Sequence, residues 1–369
     1  MIRLVLGVLA IGLCFGSCQS KSDIVRVIGS RPKDAGKKIE LPRLFTIDVT
    51  RIHMFGRQRT ENYHQLMAFD GLGNLYVLDS GQSRIWVFDP GGREIRSFGG
   101  PGQGPNEFFN PSMLFILDNE IYVLHAFGSE FKVLNLEGEF LTTKRAAFEN
   151  PLGFFAAGGD IFLFSGKTDR TFTTLEFILR KFPGGRFDQG EILRTFDYPP
   201  GLGGPAYDFI WTNWLLVADS GEFYFPENNL ENYAIIKYDR KGKPALIFGR
   251  KYEIRPYSQK AEELFHSSYG QDIKAGTRKF PSAPPVVRKM FRDEKKNVWI
   301  ISGETSEDNE DPDFENAVDV FGPKGEWLSS LRSKILSKQC LCHGGKIYKI
   351  SSVDPQTYEQ TIEVYGLRY

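Results

Sequence analysis

Short apolar segments separated by turn residues recur along most of the chain. Six of them share one form, in which Gly, Asn or an acidic residue precedes a run that contains an aromatic side chain. They are GNLYVLD at 73–79, NEIYVLH at 119–125, GDIFLFS at 159–165, GEFYFPE at 221–227, NVWIISG at 297–303 and GKIYKIS at 345–351. Continuous apolar runs of this length, bounded by turn residues, are typical of strands that are buried on both faces.

A second apolar strand follows each copy, and several of these strands end in turn sequences such as DPGG, PGG, DRKG and GPKG. Glycine in these turns is free to adopt a positive φ, as hairpins require. Repeats of about 40–50 residues that hold four strands are typical of propeller blades. The pattern therefore predicts an all-β fold over residues 42–369, a six-bladed β-propeller of four-stranded antiparallel blades.

The two ends of this region complement each other. The chain ends on TIEVYGLRY, which matches a third strand and has no fourth strand after it. LFTIDVTRIHMF at 44–55 precedes the first repeat and can supply the missing strand, which would remove an exposed sheet edge. Between about 252 and 285 the chain is longer than a blade needs, and SQKAEELFHSSY has helical spacing with Ser258 as a cap. We expect a small helical insertion there.

Residues 70–111, DGLGNLYVLDSGQSRIWVFDPGGREIRSFGGPGQGPNEFFNP, resemble an NHL-type propeller repeat. The whole chain is similar to the bacterial six-bladed propeller lipoproteins, strongly in the first repeat, fairly in the second and only in outline in the other four. The resemblance implies the propeller fold. It also implies that Asp79 and Arg84 are a structural pair that braces a hairpin.

The first residues differ in character from the rest. Residues 1–17 have one Arg, an apolar run and then small residues before Cys18, which predicts a secretory signal peptide. Phe15 to Cys18 resembles the lipobox of bacterial lipoproteins, although Phe15 departs from the usual Leu, and this resemblance implies cleavage before Cys18 and a lipid on its sulfur. The alternative is an ordinary secreted protein cut near Ser17 or Ser20. Residues 18–41 are polar and are predicted to be a flexible tether.

The chain has 46 basic and 46 acidic residues, so its formal net charge is zero. This balance gives no electrostatic reason to expect nucleic acid or an anionic membrane surface as a partner. We expect a monomer in the bacterial cell envelope, on the extracytoplasmic side, that touches the membrane through its lipid anchor only.

The segment FGGPGQGPNEFFNP at 98–111 is rich in glycine, but it does not fit a phosphate-binding loop. Glu107 stands where a dinucleotide loop has its third glycine, Pro105 removes an N–H group, and no helical pattern follows. The segment is predicted to carry the backbone from the outer strand of one blade to the inner strand of the next.

Metal chemistry has two weak candidates. Cys340, Cys342 and His343 could supply at most three zinc ligands, and His343 would face the other side of a regular strand. Two small buried side chains, or a strained disulfide, are the other interpretations of the cysteines. The acidic loop 303–316 could ligate calcium but lacks the glycine and terminal glutamate of a calcium loop. We therefore expect no cofactor, with calcium or zinc as the alternatives.

The favoured function is a binding or scaffold module that is not an enzyme and that binds a peptide, glycan or protein on one face of the propeller. The face of the loops that join blades would gather the candidate ligand-binding residues at the channel mouth, which are His64, Arg84, Asn106, Asn110, Asn150 and Asn213. The alternative is an enzyme, a lyase or a metal-dependent hydrolase of the lactonase type, with its site at the same mouth. The fold alone does not separate these functions.

The predicted anchor can be tested by metabolic labelling with palmitate in a bacterial host. We expect label on the wild-type protein and none on Cys18→Ala, because the acyl chains would be carried by that cysteine. Cys14→Ala is the matched control, since Cys14 lies inside the predicted signal and should leave labelling unchanged. Label that persists in Cys18→Ala would overturn the prediction.

Overall fold

The structure is a computed structural model. It describes residues 24–34, 38–52, 54, 65–125, 130–145, 151–168, 175–198, 215–227, 233–253, 263, 266, 267, 270, 271, 274, 286–302, 315–337, 339–351 and 360–369. These residues form six sheets, five of four strands and one of five, and each contains a four-stranded antiparallel blade, so the predicted six-bladed β-propeller is confirmed.

The strands follow one another through the blades in chain order. Blade one contains β3 (Met67–Phe69), β4 (Leu75–Asp79), β5 (Arg84–Phe88) and β6 (Glu94–Gly99). Blade two contains β7 (Pro111–Leu117), β8 (Glu120–His125), β9 (Glu130–Asn135) and β10 (Phe140–Arg145). Blade three contains β11 (Pro151–Ala157), β12 (Asp160–Thr168), β13 (Leu175–Pro183) and β14 (Glu191–Tyr198), with a short 3-10 helix at Phe187–Gln189.

Blade four contains β15 (Leu216–Val217), β16 (Phe223–Pro226), β17 (Ala234–Tyr238) and β18 (Pro244–Arg250). Blade five contains β19 (Val287–Arg292), β20 (Val298–Ser302), β21 (Asn316–Phe321) and β22 (Trp327–Ser333). Blade six contains β23 (Cys340–His343), β24 (Lys346–Ile350) and β25 (Thr361–Gly366), with β2 (Arg43–Asp48) as its fourth strand. The six repeats recognised in the sequence coincide with the second strand of each blade.

The ring closes as the sequence predicts. Strand β2 pairs antiparallel with β25, and Ile47 lies opposite Ile362. The first strand after the tether and the last strand of the chain thus belong to one sheet. This pairing covers the edge of β25 that would otherwise be open to another chain.

Neighbouring blades pack through buried apolar side chains on both faces of each sheet. Five clusters among the described residues join blade six to blades one and two, blade two to three, three to four, four to five, and five to six. Aromatic side chains fill much of this space, including Tyr76, Phe131, Phe164 and Trp299, all less than 2 % exposed. The high Phe content of the sequence is therefore used at blade interfaces.

The turns between third and fourth strands repeat one hydrogen-bond pattern. Asp89 Oδ1 accepts from the backbone N–H groups of Gly91 and Arg93, at 3.0 and 2.9 Å. Asp239 Oδ1 does the same for Lys241 and Lys243, at 2.9 Å each. These side chains satisfy turn amides locally, which explains why Asp recurs at this position of the repeat.

Part of the predicted tether is ordered, which corrects that prediction. Strand β1 (Val25–Gly29) pairs in parallel with β18 and becomes a fifth strand on blade four. Val27 packs against the cluster between blades four and five. Lys33 N–H then donates to Trp327 O at 2.9 Å in blade five. The mostly polar composition of residues 18–41 gave no signal for this strand. Its five residues pair with β18 and pack on the apolar cluster between blades four and five only in the folded ring.

The chain then continues to blade six. Glu40 and Arg368 exchange backbone hydrogen bonds of 3.0 and 3.1 Å, and Ile39 and Leu41 pack against the cluster between blades five and six. We call the described residues from Ile24 to Leu41 the strap. It crosses the outside of three blades before β2 closes the ring.

The predicted helical insertion lies mostly outside the described residues. Its described residues with a helical backbone are Glu263, His266, Ser267, Gly270, Gln271 and Lys274. Across the described parts of the chain, no helix has both the length and the apolar character needed to cross a membrane. The predicted signal peptide lies outside the described residues.

The same carboxylate brace occurs in two blades, in each case at the turn between the first and second strands. Asp293 accepts hydrogen bonds from Asn297 N and Nδ2 at 2.9 and 3.0 Å, from Trp299 Nε1 at 2.8 Å, and from the Tyr369 hydroxyl. In blade one, Asp70 contacts the backbone and side chain of Asn74 in the same way. The brace satisfies the indole N–H of a tryptophan that is fully buried.

Replacing Asp293 with Ala should lower the free energy of unfolding by about 2–3 kcal/mol, because Trp299 Nε1 and the Asn297 side chain lose their acceptor inside the protein. Urea unfolding followed by circular dichroism measures the change. Asp188→Ala is the control, since Asp188 is exposed and should shift stability by about 0.5 kcal/mol at most. Equal stability of the two variants would contradict the assigned brace.

Candidate functional site

The first strands of all six blades surround a channel on the axis of the ring. Its cavity volume is about 990 Å³. Residues from β3, β7, β11, β15, β19 and β23 line it, together with the turns that follow several of these strands. The inner strands, with Glu222 and Lys237 of blade four beside them, therefore determine the chemistry of the channel.

The two halves of the channel wall differ in character. The lining residues of blades one, two and three are apolar except for Gln65, and include Phe69, Ile116 and Phe155. Every lining Lys, Arg, Asp or Glu belongs to blade four or five, and a histidine lies in blade six. Gln65 itself is buried and accepts a hydrogen bond from Phe154 N at 3.0 Å. The channel is thus apolar on one side and charged on the other.

An ion network forms part of the charged side. Lys237 Nζ lies 2.8 Å from Glu222 Oε1, and Arg292 Nη1 lies 3.8 Å from Glu222 Oε2. Burial acts to raise the pKa of Glu222, but the hydrogen bond and charge of Lys237, with smaller contributions from Ser220 and Arg292, lower it overall. Glu222 is therefore an ionised carboxylate at neutral pH.

Arg292 is held only loosely by this network. Its side chain is 15 % exposed, and Nη1 donates to Ser220 Oγ at a long 3.4 Å. Its Nε is buried and has no hydrogen-bond partner among the described residues. A buried guanidinium N–H without an acceptor is costly unless something in the channel accepts it.

Lys289 lies deeper on the same strand, β19, and is 6 % exposed. Burial lowers the pKa of its amine to about 8, and the nearby Cys340 thiol acts weakly in the opposite direction. Burial in turn raises the pKa of Cys340, whose Sγ donates to Ile335 O at 3.0 Å. At neutral pH the pair is an ammonium beside a neutral thiol.

The cysteines and the histidine of β23 separate as the alternation of a strand requires. Cys340 and Cys342 are free thiols on the side of blade five. Cys340 is a small buried side chain as predicted, whereas Cys342 is only partly buried and lines the channel. His343 instead stacks on Phe69 of blade one, with ring centroids 4.1 Å apart. Burial lowers the pKa of His343. Within the described ranges no group of three or more His, Cys, Asp or Glu is placed to hold a metal ion.

Three of the predicted ligand-binding residues are described, and none of them lines the cavity. Arg84 Nη1 donates to Ser97 Oγ at 3.2 Å, and Asn106 Oδ1 accepts from Phe140 N at 3.0 Å. Asn110 is exposed and has a φ of 44°, which suits an asparagine in a turn. The others, His64, Asn150 and Asn213, lie outside the described residues, as do Cys18 and residues 303–314 of the acidic loop.

Asp79 and Arg84 are opposite each other in the strand register. Their side chains nevertheless go to different partners. Asp79 Oδ1 accepts from Gln82 N at 2.8 Å, and Asp79 Oδ2 is buried without a hydrogen-bond partner. Asp79 and Arg84 are therefore paired through the backbone register and not through the side-chain contact that the family resemblance implies. The Asp79 carboxylate stabilises the turn at Gln82 instead.

The glycine-rich segment between blades one and two has a structural role. The ammonium group of Lys132 donates to the carbonyl oxygens of Gly104 and Glu107, and lies 3.5 Å from that of Gln103. A phosphate loop would present N–H groups instead. Gly99 has a φ of 92°, and an added Cβ would lie 2.4 Å from the buried Phe108 ring. The segment joins two blades, as the sequence predicts.

Sequence reasoning did not find Lys237, Lys289 or Arg292. Each lies in an ordinary strand sequence, and only the ring brings β17 and β19 to one side of a channel. A basic residue inside the apolar run VVRKMF at 286–291 was the one available signal, because a buried strand rarely carries a lysine without a reason.

Comparison with known proteins agrees with the fold. Residues 37–175 match a family model described as a 6-bladed β-propeller. A member of the DUF4221 family from Bacteroides vulgatus ATCC 8482 is similar over 90 % of this chain and 99 % of its own, with 13 % identity and a TM-score of 0.54. A candidate exported protein from Bacteroides fragilis NCTC 9343 is similar over 94 % and 99 %, with 11 % identity and a TM-score of 0.52. No curated protein matches the chain. At these identities the likeness shows the fold alone.

The buried amine of Lys289 predicts a pH-dependent stability. Its pKa is about 8 in the folded chain and near 10.5 when exposed, so the unfolded state binds more protons between these values and stability should rise with pH there. Lys289→Met should be more stable than wild type at pH 7, and the difference should shrink by about 1–2 kcal/mol by pH 9.5.

Urea unfolding of both proteins at pH 7, 8.5 and 9.5 gives this difference directly. Both proteins contain the same tyrosines, so taking the difference between their free energies of unfolding at each pH cancels the contribution of tyrosine titration. Lys241→Met is the control, because Lys241 is exposed and its variant should differ from wild type by the same amount at every pH. A difference for Lys289→Met that stays constant would contradict the burial assigned to the amine.

Proposed function

We propose that this protein is a binding module of the bacterial cell envelope, related to the NHL-type propeller lipoproteins and held at a membrane by a lipid on Cys18. Its ligand enters the central channel. The ring serves as a rigid frame for that channel, in which six separate strands each contribute a few lining residues.

The observation that carries this proposal is the cavity itself. Ligand pockets usually have volumes of roughly 300–1,000 Å³, with mostly apolar walls and a few placed polar groups. The channel has a volume of about 990 Å³, an apolar wall on three blades and charged groups on two. Lys289 is 6 % exposed on an inner strand, and the stability that burial of its amine costs is typical of a functional site.

The strap supports the proposed anchoring. Its first described residue, Ile24, lies next to β1 on blade four. Five residues lie between it and Cys18, and the six steps from Cys18 to Ile24 reach roughly 20 Å at full extension. A lipid on Cys18 would therefore hold the ring close to the membrane. The channel ligand would then be taken from the space next to that membrane.

Binding in the channel can be tested with N-phenyl-1-naphthylamine, an uncharged apolar dye whose fluorescence rises on leaving water. We expect saturable binding to the wild-type protein. Ala156→Trp should weaken it at least tenfold, because Ala156 lines the channel on β11 and the indole would fill the space. Leu141→Trp is the matched control, since Leu141 is exposed on the outer strand β10 and its variant should bind as wild type does.

A second channel substitution, Ala68→Trp, guards against a folding defect in the first. Circular dichroism and melting temperature identify which of the variants are folded. Dye binding that is absent from the wild type, or that survives in the folded channel variants, would overturn the proposal.

A further inference from the structure

The division of the channel wall into an apolar and a charged side indicates the kind of ligand that fits it. We infer that the channel binds an organic anion with an apolar body, its acidic head group on Arg292 and its body against Phe69, Ile116 and Phe155. This inference rests on the proposed function, because it names the ligand class of the same channel.

The free donor of Arg292 is the first argument. Its Nε has no partner, while its Nη1 makes only two long contacts, 3.4 Å to Ser220 and 3.8 Å to Glu222. A guanidinium group binds carboxylate, phosphate or sulfonate oxygens through two parallel N–H donors. One acidic head group would accept hydrogen bonds from Nε and from a neighbouring N–H group of the same guanidinium at the same time.

The balance of charge is the second argument. Lys237, Lys289 and Arg292 line the channel in partly or fully buried positions, and Glu222 is the carboxylate that faces them. Asp293 is committed to Asn297, Trp299 and Tyr369. The remaining charged lining residues, Asp219, Glu294 and Lys296, are exposed at the end of the channel. Hydrogen bonds from neutral donors leave the formal charge of Asp293 in place, so the buried wall has three basic groups against two carboxylates. This excess of one positive charge favours an anion.

The opposite wall is the third argument. Phe69, Ile116, Phe155 and Ala156 are partly exposed to the channel and offer no side-chain hydrogen bond. A sugar placed there would leave hydroxyl groups without partners, at a cost of about 1–3 kcal/mol each. An aromatic or aliphatic body would instead bury apolar surface on both sides of the contact.

Two dyes with the same apolar body test the head-group contact and the body contact separately. 8-Anilinonaphthalene-1-sulfonate is N-phenyl-1-naphthylamine with one added sulfonate group. We expect the wild-type protein to bind the sulfonate at least tenfold more tightly than the uncharged dye. Arg292→Met should reduce affinity for the sulfonate at least tenfold and change affinity for the uncharged dye less than twofold, because only the head group contacts the guanidinium.

Arg145→Met is the matched control, because Arg145 lies on the outer strand β10 and is paired with Glu130. It should bind both dyes as wild type does. Arg292→Gln is the second channel variant, with the same expected selectivity as Arg292→Met. Its side chain is polar and can still contact Ser220, and circular dichroism with melting temperature identifies which variants are folded.

The outcomes distinguish this inference from the proposed function. If both dyes bind in the channel with equal affinity, or if Arg292→Met and Arg292→Gln weaken both dyes equally, the anion inference is wrong and the channel remains a binding site. If neither dye binds in the channel, the proposed function fails as well. Selective loss of the sulfonate in both variants supports the inference.

Discussion

The antiparallel pairing of β2 with β25 is the constraint on which the rest of this protein depends. A propeller blade buries both of its faces against neighbours, so each blade needs two others and an open row would expose apolar surface at both ends. Pairing the strand that precedes blade one with the last strand of blade six makes that blade depend on both ends of the chain. The cluster that joins blades six, one and two includes Ile47 and Ile362 from this pairing.

Closure also creates the channel. Once six blades are fixed in a ring, their first strands converge on the axis, and residues far apart in sequence become neighbours. Gln65 and Phe154 share a hydrogen bond across 89 residues, and Lys346 reaches Pro90 O at 2.9 Å across 256. A site built in this way is rigid, because each lining strand is held by its own blade. Rigid placement lowers the entropic cost of binding a ligand.

The inner strands do not contribute equally to stability. Blades one to three place apolar side chains on the axis, whereas β19 places Lys289 and Arg292 there. A buried amine and an unpartnered guanidinium N–H both lower the stability of the folded chain. The aromatic interfaces between blades are extensive enough to tolerate this. In that division, most of the second, third and fourth strands supports the fold, and the inner strands, with Glu222 and Lys237 of blade four, are available for recognition.

The strap adds a second connection between blades. By following blade four, blade five and blade six in turn, it ties together two interfaces that would otherwise depend on side-chain packing alone. It also fixes the point at which the N-terminal segment leaves the ring. For a protein anchored by that segment, the same contacts would determine which side of the ring lies near the membrane.

The number of blades, their strand order and the way the ring closes could be predicted from the amino-acid sequence alone, because these features depend on local patterns. Runs such as LYVLD and VWIIS mark buried strands, and DPGG and DRKG mark the turns, wherever they occur. The sequence also showed that the segment at 98–111 joins two blades. Only the tertiary structure revealed the strap and the charged side of the channel. Val25–Gly29 is a strand because β18 lies beside it, and Lys237 and Arg292 share Glu222 because the ring places two blades together. Contacts of that kind depend on distance in space, for which one sequence has no local signal.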